Sequence, residues 1–188
     1  MVGGYKPSDM GIPDFGSDPS YAEFSHKVLS KTDGSVKKVL IQAFNLFENK
    51  SIKFSFGGKS PDEGFDTSGF ISYVLSVGGV LESSYYRVFS SSKLKELLTH
   101  VETKEVKIGD LLFYKTGLIL IYLGEKKGIG IGNRDGIKFY DVDISKKCDI
   151  RRWAGQHWTV ALNKQGDLKF VEDYYGGTPT DIEKTGKN

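Results

Sequence analysis

The sequence predicts an α+β domain with its helices first and an antiparallel sheet after them. Up to about residue 100, apolar residues recur at spacings of three and four, as on one face of a helix. Beyond residue 110 they fall in short runs separated by turn residues, as in antiparallel strands. Helices followed by strands, rather than alternating with them, favour segregated α+β packing over a parallel sheet. A length of 188 residues with 38% apolar and 13% aromatic side chains suits one domain with a real core and short appendages.

Taken in order, residues 1–19 carry Gly3, Gly4, Pro7, Gly11, Pro13, Gly16 and Pro19, a spacing that breaks regular structure and predicts a linker or arm. Ser20 with Glu23 fits a capping box opening a short helix to about Leu29. After the turn at 31–34, Val36, Val39, Leu40, Ala43, Phe44, Leu46 and Phe47 mark an amphipathic helix from Ser35 to Asn49. Residues 51–64 read as irregular. Asp66 is the expected cap of a helix running through Phe70, Ile71, Val74 and Leu75 to Gly78-Gly79, and Ser92 that of a helix from Lys93 to His100. The predicted strands are Leu111–Tyr114, Leu118–Leu123, Gly128–Gly132, Ile137–Val142 and His157–Leu162. The polar end of the chain, 173–188, reads as a tail, which leaves 20–172 as the domain.

Several function classes are disfavoured by composition. The 26 basic and 24 acidic residues leave a net charge of +2 with no basic stripe, so no nucleic acid partner is expected. A slightly positive surface is compatible with an anionic wall or membrane. A lone Cys148 permits neither an intramolecular disulfide nor a cysteine zinc site. No apolar run reaches about 18 residues, so no membrane span is expected, and the first residues lack the pattern of a signal peptide.

Four segments then resemble landmarks of the NlpC/P60 family. Phe54-Ser55-Phe56-Gly57-Gly58 is similar to the family's Tyr-x-Trp-Gly-Gly. Gly64-Phe65-Asp66-Thr67-Ser68-Gly69-Phe70 is similar to Gly-Phe-Asp-Cys-Ser-Gly-Phe. Lys107-Ile108-Gly109-Asp110-Leu111-Leu112-Phe113 is similar to Lys-Pro-Gly-Asp-Leu-Val-Phe, and Leu118–Gly124 stands where the family has His-Val-Gly-Ile-Tyr-Leu-Gly. The resemblance is strongest over 35–163. It implies a papain-like fold, with N-terminal helices packed on a central antiparallel sheet, and a domain that elsewhere cuts the stem peptides of bacterial peptidoglycan.

It also implies a dismantled site. Such a peptidase needs a thiolate at a helix start, where free N–H groups and the helix dipole favour the anion. It needs a histidine to carry the proton and a third group to orient it. Here the nucleophile position is Thr67, the histidine position Leu118 and the third position Gly130; the family's tyrosine is Phe54. An internal threonine has no N-terminal amine to activate it. The resemblance therefore implies no catalytic residues, no metal and no cofactor, and a former cleft lined by Phe54, Phe56, Asp66, Thr67, Ser68, Leu118 and Leu120. By the period-two rule Leu118, Leu120 and Tyr122 share one face. Either the leucines fill the cleft, or an apolar groove remains. Leu81-Glu82-Ser83-Ser84 departs from the family's Leu-Pro-Arg beside the cleft, which weakens the case for stem-peptide recognition.

The remaining candidates read as structural. His26, His100 and His157 have no ligand spacing. Cys148 follows Lys146-Lys147, whose charge would lower its pKa, but no base is evident. Ser68 is a routine helix-start residue. Gly128-Ile129-Gly130-Ile131-Gly132 lacks the strand–loop–helix context of a phosphate loop. Tyr85, Tyr86 and Phe89 form an aromatic loop, either a binding surface or a lid.

The expectation is an inactive NlpC/P60-like module in the bacterial cell envelope, extracytoplasmic. Its partner would be a peptidoglycan stem peptide or an envelope protein, alone or within the machine of a conjugative element or phage. The alternatives are a cell-wall peptidase with rearranged catalytic residues, and a pure protein–protein interaction module.

Overall fold

The computed structural model describes residues 19–78, 90–132, 136–145, 148–153, 157–162 and 168–173, the last two stretches by their backbone. The arm at 1–18, the Leu81–Ser84 and Tyr85–Phe89 segments, Lys146-Lys147, Gln156 and the tail from 174 lie outside these residues.

Among the described residues there are four α-helices, α1 (Pro19–Ser30), α2 (Gly34–Glu48), α3 (Thr67–Val77) and α4 (Ser91–Leu97). Pro19 opens α1, a position where proline's missing N–H is no loss. Asp33 precedes α2 without a side-chain capping bond. The α4 cap is Ser90, not Ser92: Ser90 Oγ accepts from Lys93 N at 3.2 Å. That helix also stops short of the expected His100, because Thr99–Val101 pairs with a strand no local signal reveals.

Two short strands, β1 (Lys59–Ser60) and β2 (Gly64–Phe65), pair within the stretch expected to be irregular. The main sheet has six strands: β3 (Thr99–Val101), β4 (Leu111–Tyr114), β5 (Ile119–Gly124), β6 (Lys127–Ile131), β7 (Ile137–Asp141) and β8 (Cys148–Arg152). Its order is β3-β8-β4-β5-β6-β7, and the pairs are antiparallel. β8 was not foreseen, because Cys148-Asp149-Ile150-Arg151-Arg152 offers a single apolar residue. The expected strand at His157–Leu162 (β9) exists, but it pairs with β10 (Leu168–Asp173) in a separate two-stranded sheet.

Alternation along the strands divides the core. Leu111, Phe113, Ile119, Ile121, Ile129, Ile131 and Phe139 pack with α1, α2 and α3 through residues such as Leu40, Phe44, Phe70 and Val74. On the other face, Leu112, Leu120, Tyr122, Val101, Val142 and Ile150 form a second buried cluster. The α+β architecture expected from the sequence is therefore present, with the start of α3 set against the start of β5.

Candidate functional site

The candidate site is built where α3 begins. Asp66 has an extended backbone (φ −87°, ψ −179°) and caps the helix: its Oδ1 accepts from Gly69 N at 2.7 Å. Its Oδ2 accepts from Gly57 N at 3.1 Å. One carboxylate thus fastens both the helix and the turn before it. That turn closes through Gly58 N donating to Ser55 O at 2.8 Å, and Gly57 takes φ +75° at its third position, as a type II turn requires. The backbones approach too closely for side chains. A Cβ on Gly69 would sit 2.1 Å from Gly58 O, and one on Gly58 would sit 2.4 Å from Gly64 O.

Residue 67 is therefore presented at the first turn of a rigidly held helix, where free N–H groups favour a thiolate. The residue there is Thr67, and its Oγ1 accepts from Ile119 N at 3.0 Å. The hydroxyl joins α3 to β5. Thr67→Val keeps the shape and strands that partly buried N–H, so stability should fall by about 1–2 kcal/mol, read as a shifted urea midpoint at unchanged slope.

Across the junction Leu118 is half-buried and packs against the second cluster. Leu120 is 1% exposed. The β5–β6 register, Ile121 opposite Ile129, sets Leu120 over Gly130. A Cβ on Gly130 would lie 2.6 Å from Ile119 O and 2.8 Å from Leu120 Cδ2. One on Gly128 would lie 3.2 Å from Leu120 Cβ and from Val142 Cγ1. A leucine thus lies across two glycines. Of the two forms left open by the sequence, this geometry is the filled one.

The expected lining residues separate accordingly. Leu120 and Ser68, the latter 8% exposed, have little surface to offer a ligand. Phe54 is half-buried against the main core and bridges to Phe65. Thr67, Asp66 and Leu118 are partly exposed, and Phe56 is 95% exposed. Among the described residues no hydrogen bond joins a histidine to Thr67. His26 is exposed on α1, and His100 lies on β3 with Nδ1 3.4 Å from Asp149 Oδ1 and Nε2 3.5 Å from Glu102 Oε1.

Cys148 departs from expectation. Its thiol pKa is raised, first by burial and then by Asp149 and Asp143. Cross-strand from it, burial pushes the Tyr114 hydroxyl up to about 12, with Cys148 and Asp143 adding to the effect. Because the thiolate is the reactive form, alkylation of Cys148 by iodoacetamide at pH 7.5 should be slower than that of a free cysteine. The rate should still be climbing above pH 9. A rate plateau below pH 8 would contradict this assignment.

A buried polar contact that no local signal marks joins β8 to the start of β4. Asp110, 1% exposed, accepts from Arg152 Nε and Nη2, both at 2.8 Å, and from Lys107 N at 2.8 Å. Arg152 Nη2 also donates to Glu105 O at 2.8 Å. Asp110 stood in the third landmark, but nothing local marks Arg152 as its partner. At the far end of β5 from Thr67 lies a cavity of about 450 Å³, lined by Lys31, Asp33, Val36, Lys107, Ile108 and Tyr122 among others. None of the expected site residues lines it. Among the described residues, no helix is long and apolar enough to cross a membrane.

Comparison with known proteins places this geometry. The model of the NlpC/P60 family matches residues 51–166. A gamma-DL-glutamyl hydrolase of Bacillus subtilis (strain 168) is 30% identical over 105 residues, 52% of this chain and 24% of the relative. The chain thus spans about a quarter of that curated relative's length. A lipoprotein-like NLP/P60 protein of Staphylococcus aureus superposes with TM-score 0.52 at 23% identity, over 64% of this chain and 42% of that one. RipD of Mycobacterium tuberculosis, described as a non-catalytic NlpC/p60 domain protein adapted to peptidoglycan binding, gives TM-score 0.50 at 20% identity, over 64% and 98%. RipB of the same organism, a peptidoglycan hydrolase, gives 0.50 at 18% identity, over 81% and 92%.

Proposed function

The chain is a member of the NlpC/P60 family, and from that premise we propose that it binds at the bacterial cell wall or envelope without cleaving peptide bonds. The observation that carries this reading is the bond from Ile119 N to Thr67 Oγ1, with Leu118 in the place of the family's histidine. A hydroxyl becomes a useful nucleophile only when a base takes its proton, and triad members act as a unit. Among the described residues no hydrogen bond gives Thr67 such a base. The shared fold does not decide the matter, since both a hydrolase and a non-catalytic protein have it, and the reading is drawn from the residues at the site.

Support for binding comes from what is retained. The Asp66 cap and the close-packed Gly58, Gly64 and Gly69 keep the helix start rigid. That RipD is described as adapted to peptidoglycan binding indicates that a domain of this fold can serve as a binder. We take 20–172 as the functional unit, flanked by an arm and a tail, and an extracytoplasmic location as its setting. Purified protein should co-sediment with isolated sacculi at low salt, and clean recovery in the supernatant would remove the wall-binding reading.

A further inference from the structure

We infer that the surface contacting the wall is the Phe56 corner, and that it recognises the neutral glycan strand rather than the stem peptide. This rests on the wall-binding reading and specifies its ligand.

On the sheet side of the old cleft, Leu120 is buried over Gly128 and Gly130 and, among the described residues, takes up the space there. What faces solvent beside the start of α3 is Phe56, 95% exposed. It is not carried on a loose loop. It occupies the second position of the Ser55–Gly58 turn, closed by the Gly58 N to Ser55 O bond, pinned by Gly57 N to Asp66 Oδ2 and backed by Ser55 N donating to Phe65 O at 2.9 Å. With Gly57 at φ +75°, the turn points this corner outward. Little ordering entropy remains to be lost when a ligand docks on such a platform.

Charge selects between the two parts of peptidoglycan. From Lys53 to Asp66 the chain has two lysines, Lys53 and Lys59, against three carboxylates, Asp62, Glu63 and Asp66. The stretch has a slight excess of negative charge, which favours an uncharged ligand face over a carboxylate-bearing one. An aromatic face is electron-rich at its centre, and the apolar C–H face of a pyranose presents the complementary partial charge. An exposed aromatic ring on a rigid mount suits an uncharged sugar.

The test uses the full chain on two solid phases, intact sacculi and resin-immobilised glycan strands freed of peptide by an amidase, their exposed lactyl carboxylates then capped as methylamides to keep the strand neutral, with soluble stem peptide as competitor. Wild type should bind both phases, and stem peptide should not compete. Phe56→Ala should weaken binding about tenfold on both, as expected for loss of an aromatic anchor. Phe56→Trp should restore it, and unchanged thermal unfolding would show that the alanine variant folds. Equal binding by wild type and Phe56→Ala, or loss of binding on stripped glycan together with competition by stem peptide, overturns the glycan assignment while leaving wall binding in place. Failure of wild type to bind intact sacculi overturns both.

Discussion

Arg152→Met should lower the unfolding free energy by about 3–5 kcal/mol, the cost of breaking a buried ion pair by removing one partner. Asp110 is 1% exposed and Arg152 is 26% exposed at its side chain, so the two halves of the pair are not equivalent. Removing the arginine leaves a carboxylate in the interior with Lys107 N as its remaining donor. Removing the carboxylate leaves a guanidinium that can turn to water and that keeps its bond to Glu105 O. Asp110→Ala should therefore cost less than Arg152→Met. Urea denaturation of both variants checks the order as well as the size. The pair ties β8 to the start of β4, and both strands belong to the middle of the sheet.

Leu120→Ala should cost about 2–5 kcal/mol, toward the upper end of that range. The cost of a large-to-small change depends on how far the neighbours can collapse into the void. Beneath Leu120 are Gly128 and Gly130, which have no side chains to move, and a sheet backbone that does not close up. Leu118→Ala, at a half-buried position on the same face, should cost clearly less. Equal effects would contradict the assignment of Leu120 as the filler of the former cleft. Leu120 and Gly130 act as a complementary exchange: the bulk stands on β5 and the space on β6.

Much of this was legible in the sequence because the signals are local. The periodicity of α2 and the Asp66 cap of α3 read directly, as did the alternation of Leu118, Leu120 and Tyr122 onto one face. So did the presence of threonine, leucine and glycine where the family has its reacting groups. What escaped were features made by pairing. The His100 strand exists because it bonds to β8, and β8 because it bonds to β4 as well, and neither has enough apolar residues to declare itself. The Asp110–Arg152 pair joins residues 42 positions apart. At Cys148 the sequence shows the neighbouring lysines but not that folding partly buries the thiol and brings Asp149 and Asp143 to bear on it. The choice between a filled and an open cleft turned on whether Leu120 could lie across Gly130, which is a matter of strand register.

The most direct test of the central claim is release of soluble muropeptides from purified sacculi, followed by liquid chromatography and mass spectrometry over a long incubation. The proposed reading expects no peptide-cleaved products above the no-protein blank, with wild type and Thr67→Ala indistinguishable. Products that grow with wild-type protein and vanish in Thr67→Ala would contradict it, since Thr67 would then be a working nucleophile.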